Sequence, residues 1–147
     1  MVRAAILQNV PNVRITILAP CRALDLENGK LLKQWSELRW QLVEAGESGL
    51  TIGQTKTDSD VILLQPTREA LIRIDGRTYR GELILYQNAD GKVTVVNRLG
   101  LEDYLLGALP SEVGHGWPME ALKAHAVVSR TVVAHRIWVQ QDRKSVV

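Results

Sequence analysis

A single cysteine, Cys21, excludes a disulfide within the chain, and a lone free cysteine reads as a small buried hydrophobe. No apolar run approaches the ~20 residues of a membrane span. Met1 to Leu7 meets polar Gln8-Asn9 before forming the hydrophobic core of a signal peptide. No Lys/Arg block exceeds the Arg143-Lys144 pair, which argues against nucleic acid as the main partner, since phosphate-backbone binders carry a basic stripe. P-loop, GxGxxG, HExxH, CxxC and GxSxG patterns are all absent. The three histidines, His115, His125 and His135, make no metal set: the last two are ten residues apart on one expected helix, which turns them about 80° from each other. Repeats and low-complexity segments are also missing.

What remains is an ordinary globular composition: 147 residues, 46% hydrophobic and 23% charged, with a net charge of +2. The mean hydropathy is −0.05 and the pI is near 8.9. This is enough chain for one domain with a core, and its mild basicity is compatible with a polyanionic surface.

Up to about Val96 the chain reads as short strands between turns. Val13 to Ile17 alternates apolar and polar residues behind the Asn9-Val10-Pro11-Asn12 turn. Asn28-Gly29 is a second turn, Leu38–Val43 and Gly49–Ile52 are expected strands, and Val61 to Gln65 is a short apolar run ended by Pro66. The Trp35/Trp40 pair is expected to fill core or edge, as tryptophans are highly buried on average. Asp75-Gly76 predicts a type I′ hairpin between Leu71–Ile74 and a strand from Arg77 to Tyr86, and Asn88 to Gly91 closes the next, with Lys92–Asn97 pairing back in an antiparallel meander.

Beyond that point the pattern becomes helical. Leu101–Leu109 is expected as a short helix with Glu102 and Asp103 in its first turn, ended by Pro110. A two-glycine loop, Ser111 to Trp117, leads to Pro118, a good first residue for a long helix. That helix is apolar nearly all round, hence expected to be buried against further protein. Lys123 and Arg130, seven residues apart, share one stripe of it. Strands first and helices after predict an α+β fold: an antiparallel β-rich region over 1–97, then a short helix, a loop bearing the candidate catalytic residue, and one long buried helix within 98–140.

Buried cations need partners, and the nearest carboxylate in the sequence is Glu112, in the loop ahead of Lys123 and Arg130. Flanked by Leu109, Pro110, Val113 and Trp117, Glu112 is placed for desolvation, which would raise its pKa and fit it to donate a proton near neutral pH. From chemistry alone, a helix-capping or salt-bridged glutamate is the plainer reading.

The strings Tyr79-Arg80-Gly81, Val95-Val96-Asn97-Arg98-Leu99, Leu101 to Leu105, Leu109-Pro110-Ser111-Glu112-Val113 and Trp117 to Thr131 resemble the SpoIID/LytB family. That family holds the stage II sporulation D peptidoglycan lytic transglycosylases and the amidase enhancers. The resemblance implies a single SpoIID-like domain over 1–147, shortened at its C-terminal end, with Glu112 as catalytic acid and Lys123 and Arg130 as substrate-binding cations. Val113 and His125 depart from the family's usual Met and Gln. The activity implied is lytic cleavage of glycan strands through a single glutamate; the alternative is a peptidoglycan-binding or amidase-enhancing module without turnover. Peptidoglycan glycan strands, and another cell-wall hydrolase in the enhancer case, are the implied partners, and the location is extracytoplasmic. No cofactor is expected within these residues, although some members carry zinc in strands that follow the long helix.

Overall fold

A computed structural model describes residues 2–67, 69–101 and 104. Ala5–Arg98 form one compact unit, whereas Met1–Ala4 and Leu99–Val147 are assigned to a second. Among the described residues there are twelve strands: β1 (Val2–Val10), β2 (Asn12–Ile17), β3 (Cys21–Asp25), β4 (Leu31–Trp35), β5 (Leu38–Ala45), β6 (Leu50–Ile52), β7 (Thr55–Lys56), β8 (Val61–Pro66), β9 (Ile72–Ile74), β10 (Arg77–Tyr79), β11 (Glu82–Gln87) and β12 (Val93–Leu99). They make two six-stranded sheets. Sheet A runs β1-β12-β11-β8-β3-β4 and sheet B runs β10-β9-β2-β5-β6-β7.

This corrects the α+β expectation. Among the described residues the protein is all-β, with 63% in strands and both sheets antiparallel. Each short alternating segment has one apolar face, and two sheets bury such faces against each other without a layer of helices. Ile15, Ile17, Val43, Ile52 and Ile74 of sheet B join Ala23, Leu64, Leu83, Leu85 and Val95 of sheet A in one core cluster. The helices expected at Leu101–Leu109 and after Pro118 lie outside the described residues, apart from Leu101 and Tyr104. In the second unit the Tyr104 amide donates to the Gly100 carbonyl at 3.0 Å.

Both expected hairpins form. Asp75 (φ 50°) and Gly76 (φ 76°) supply the two positive φ angles of a type I′ turn between β9 and β10. Asn88 to Gly91 joins β11 to β12, which pair from Glu82↔Arg98 to Gln87↔Val93. The meander does not form, because the expected strand from Arg77 to Tyr86 is broken at Gly81, where φ is 86°. That left-handed step costs glycine little, and there the chain leaves sheet B (β10) for sheet A (β11).

A bulge on β5 has the largest consequence for the surface. Ile15 pairs with Gln41 but Ile17 pairs with Leu38, so Arg39 and Trp40 share the place opposite Thr16. Strict alternation would send Leu38, Trp40 and Leu42 to one face. The extra residue lets Leu38 and Val43 both enter the core, at 2% and 0% exposure, and turns Trp40 outward at 64%. Trp35 behaves as the sequence analysis expects, packing partly buried against the core.

Candidate functional site

Glu112, Lys123 and Arg130 lie outside the described residues, as do His115, His125 and His135. The described chain does carry two of the family-like strings, Tyr79-Arg80-Gly81 and Val95 to Leu99, and it brings them together. Asn97, 5% exposed, projects from the core side of β12. Its side-chain nitrogen donates to the Arg80 carbonyl at 2.8 Å and to the Glu82 carbonyl at 3.0 Å. These two carbonyls flank the sheet-to-sheet step at Gly81, and a buried amide with two donors reaches both. Sequence reading passed over Asn97 as part of a string. A polar residue in the otherwise apolar inward row Val93, Val95, Asn97 and Leu99 of β12 was the available signal.

The opposite face of β12 carries a second arrangement. Arg98 donates to Glu82 Oε1 through Nη2 at 3.1 Å and Nε at 3.3 Å. Gln65 Nε2 donates to Glu82 Oε2 at 2.6 Å, and Arg22 Nε donates to Gln65 Oε1 at 2.7 Å. The register explains the row: Arg22 faces Gln65 across β3 and β8, and Glu82 faces Arg98 across β11 and β12. Beside it runs an apolar row, Leu24, Leu63, Ile84 and Val96, of which the last three form their own buried cluster. Both Glu82 oxygens are engaged, so this carboxylate is a cross-strand tie and not a free proton donor.

Asp25, at the end of β3, is 9% exposed. It closes the β3–β4 turn by accepting the Glu27 amide at 2.8 Å and the Asn28 amide at 3.2 Å. Its carboxyl is held below the ordinary value chiefly by the Ser59 hydroxyl, with help from those amides and from Lys30, while burial opposes the shift. Ser59 is also within 3.0 Å of the Val61 carbonyl, and its one proton serves either oxygen. Burial pushes the Cys21 thiol up to about 11, so the inert, hydrophobe-like cysteine expected from sequence is what the fold contains. Among the described residues no group of three or more His, Cys, Asp or Glu side chains is placed to hold a metal ion. Nor, among them, is any helix long and apolar enough to cross a membrane.

Sheet B presents a different face. Arg14, Thr16 and Arg73 each lie between core residues of β2 or β9 and therefore point away from the core. The Arg14 guanidinium sits 5.5 Å from the centre of the Trp40 ring. Beside this row a groove of about 500 Å³ is lined by residues that include Thr16, Leu18, Glu69, Leu71, Arg73 and Thr78.

Comparison with known proteins places the chain. A protein of Brachyspira hyodysenteriae described as uncharacterized is 45% identical over 64 residues, 44% of this chain and 17% of that protein. An uncharacterized protein of Chlamydia muridarum is 23% identical over 137 residues, 86% of this chain and 48% of that one. The chain thus spans half or less of these relatives. No solved structure matches it. The family model described as SpoIID, Stage II sporulation protein, matches residues 89–146, from the turn before β12 through the segment bearing Glu112, Lys123 and Arg130. Over that segment this chain is similar to the SpoIID family.

Proposed function

We propose that this chain is part of an extracytoplasmic peptidoglycan lytic transglycosylase, with Glu112 as the one catalytic acid and base. The observation that carries the reading is the SpoIID match over 89–146, which supports a sporulation-related cell-wall function. The step from there to a reaction rests on the family resemblance, which puts the catalytic acid at Glu112. Hydrolysis by a two-carboxylate glycosidase needs a second acidic group to activate water or to attack. A lytic transglycosylase needs only one. Glu112 protonates the glycosidic oxygen as the bond to it breaks, and the carboxylate so formed takes the proton from the muramoyl 6-hydroxyl, whose oxygen closes a 1,6-anhydro ring. Water is not consumed. Lys123 and Arg130 hold carboxylate, carbonyl or hydroxyl groups of the glycan through charge-assisted hydrogen bonds.

The test is Glu112→Gln in the full-length protein, incubated with purified sacculi. General acid–base catalysis is typically worth ~10²–10⁴-fold, so release of anhydro-muropeptides falls at least about a hundredfold while binding persists. Chromatography with mass detection reads the products. Turnover retained in the variant removes Glu112 from the mechanism. Binding without products from either protein replaces this reading with that of a binding or amidase-enhancing module, which amidase stimulation would then confirm.

A further inference from the structure

We propose that the outer face of sheet B is a glycan-docking platform, with the Trp40 indole as its stacking surface; the choice of glycan rests on the cell-wall reading above. Two costly features meet in one residue. Trp40 has φ 50°, a conformation that is an outlier for a bulky side chain and easier for glycine or asparagine. It is also 64% exposed, the most of any large apolar residue described. The surroundings hold it there. Its amide donates to Thr16 Oγ1 at 3.1 Å, and Arg14 Nη1 donates to its carbonyl at 3.1 Å. The Arg14 guanidinium also lies over the ring, 5.5 Å from its centre. An indole fixed from one face and still this exposed offers its other face to solvent.

The platform continues across the sheet. Thr16 pairs with Arg73 and Arg73 with Thr78, so the row from Trp40 through Thr16 and Arg73 to Thr78 crosses four strands, roughly 14 Å at the usual strand spacing. Arg73 has no ion-pair partner among the described residues, and the groove beside it presents Leu18 and Leu71, 56% and 54% exposed. A pyranose ring matches this set of groups. Its C–H face lies on the indole, its hydroxyl, carbonyl or carboxylate groups meet the threonine hydroxyls and the Arg73 guanidinium, and its acetyl methyls meet the leucines. The charge balance favours a glycan over a polyphosphate, because Arg14, Arg39, Lys56 and Arg73 are largely offset by Glu37, Glu44 and Glu69 on or beside the same face, a net of one positive charge among these seven.

The experiment measures equilibrium binding of the 147-residue chain to purified sacculi and to soluble glycan fragments. Trp40→Asn removes the ring while suiting the backbone angle, and binding weakens at least about tenfold, as for an aromatic anchor, with circular dichroism and melting unchanged. Trp40→Phe, which keeps a ring, retains most of the affinity, and Arg73→Ala loses less than Trp40→Asn. Undiminished binding by Trp40→Asn overturns the platform and leaves the Glu112 mechanism standing. No sacculus binding by the wild-type chain also overturns it, and product release from the full-length protein then judges the mechanism separately. Single-stranded oligonucleotide bound more tightly than glycan, and lost in Trp40→Asn, assigns the face to nucleic acid and overturns the proposal.

Discussion

The outer faces of the two sheets are built from similar strands and end in opposite states. On sheet A, the row Leu24, Leu63, Ile84 and Val96 is sunk into a cluster with Ile84 and Val96 at 0% and 1% exposure, and the polar row beside it is tied end to end from Arg22 through Gln65 and Glu82 to Arg98. On sheet B, Arg73 has no ion-pair partner among the described residues, and Trp40 stands out in solvent on a strained backbone. A face whose groups satisfy one another contributes to stability. A face that keeps a rigid aromatic and a free cation exposed gains nothing comparable for the fold, so its chemistry is directed outward.

The contrast makes graded predictions. Ile84→Ala removes a fully buried side chain from sheet A and costs about 2–5 kcal/mol in chemical denaturation; a loss under about 1 kcal/mol would mean the cluster is not a packed core. Glu82→Ala strands the Arg98 guanidinium and the Gln65 amide in a half-buried row, for a loss of about 1–3 kcal/mol, and Gln65→Ala added to it costs much less than it does alone, as a double-mutant cycle would show. If the two losses simply add, the row is a set of separate contacts.

Asp25 gives a pH-dependent test on the same sheet. Its folded pKa is lowered, so its contribution is fully present above the ordinary carboxylate value, about 3.9, and is lost as pH falls through the folded pKa. The stability gap between wild type and Asp25→Asn therefore narrows on acidification below about pH 4; a gap that widens there would reverse the assignment. The smallest effect is expected on sheet B. Trp40→Asn changes stability by no more than about 0.5 kcal/mol, or raises it slightly by relieving the positive φ. A loss comparable to that of Ile84→Ala would make Trp40 a structural residue and erase the distinction between the faces.

Turns and local pairing were legible in the residues because their cause is local. Asp75-Gly76, Asn28-Gly29 and Asn88 to Gly91 carry the residue types that tolerate positive φ, and the period-two pattern of Val13 to Ile17 marks a strand with one buried face. The buried, inert state of Cys21 was legible for a similar reason, since a lone thiol in an apolar setting behaves as a small hydrophobe. The similarity of the C-terminal segment to the SpoIID family was equally readable from its ordered strings. By contrast, β3 and β4 went unassigned because Cys21 to Trp35 has weak alternation, and their edge of sheet A is set by pairing with β8.

Tertiary structure alone decided which strands share a sheet. Leaving sheet B at Gly81 depends on a distant partner, Asn97, to satisfy the carbonyls on either side of the step, and no local pattern encodes a hydrogen bond across that separation. It also decided the role of Trp40. The residues from Leu38 to Val43 alternate well enough to place the indole in the core, and only the competition to bury Leu38 opposite Ile17 and Val43 opposite Val13 inserts the bulge that turns it out. A one-residue shift in register exchanges the faces of a strand, so exposure in a β fold is a property of the pairing and not of the residue.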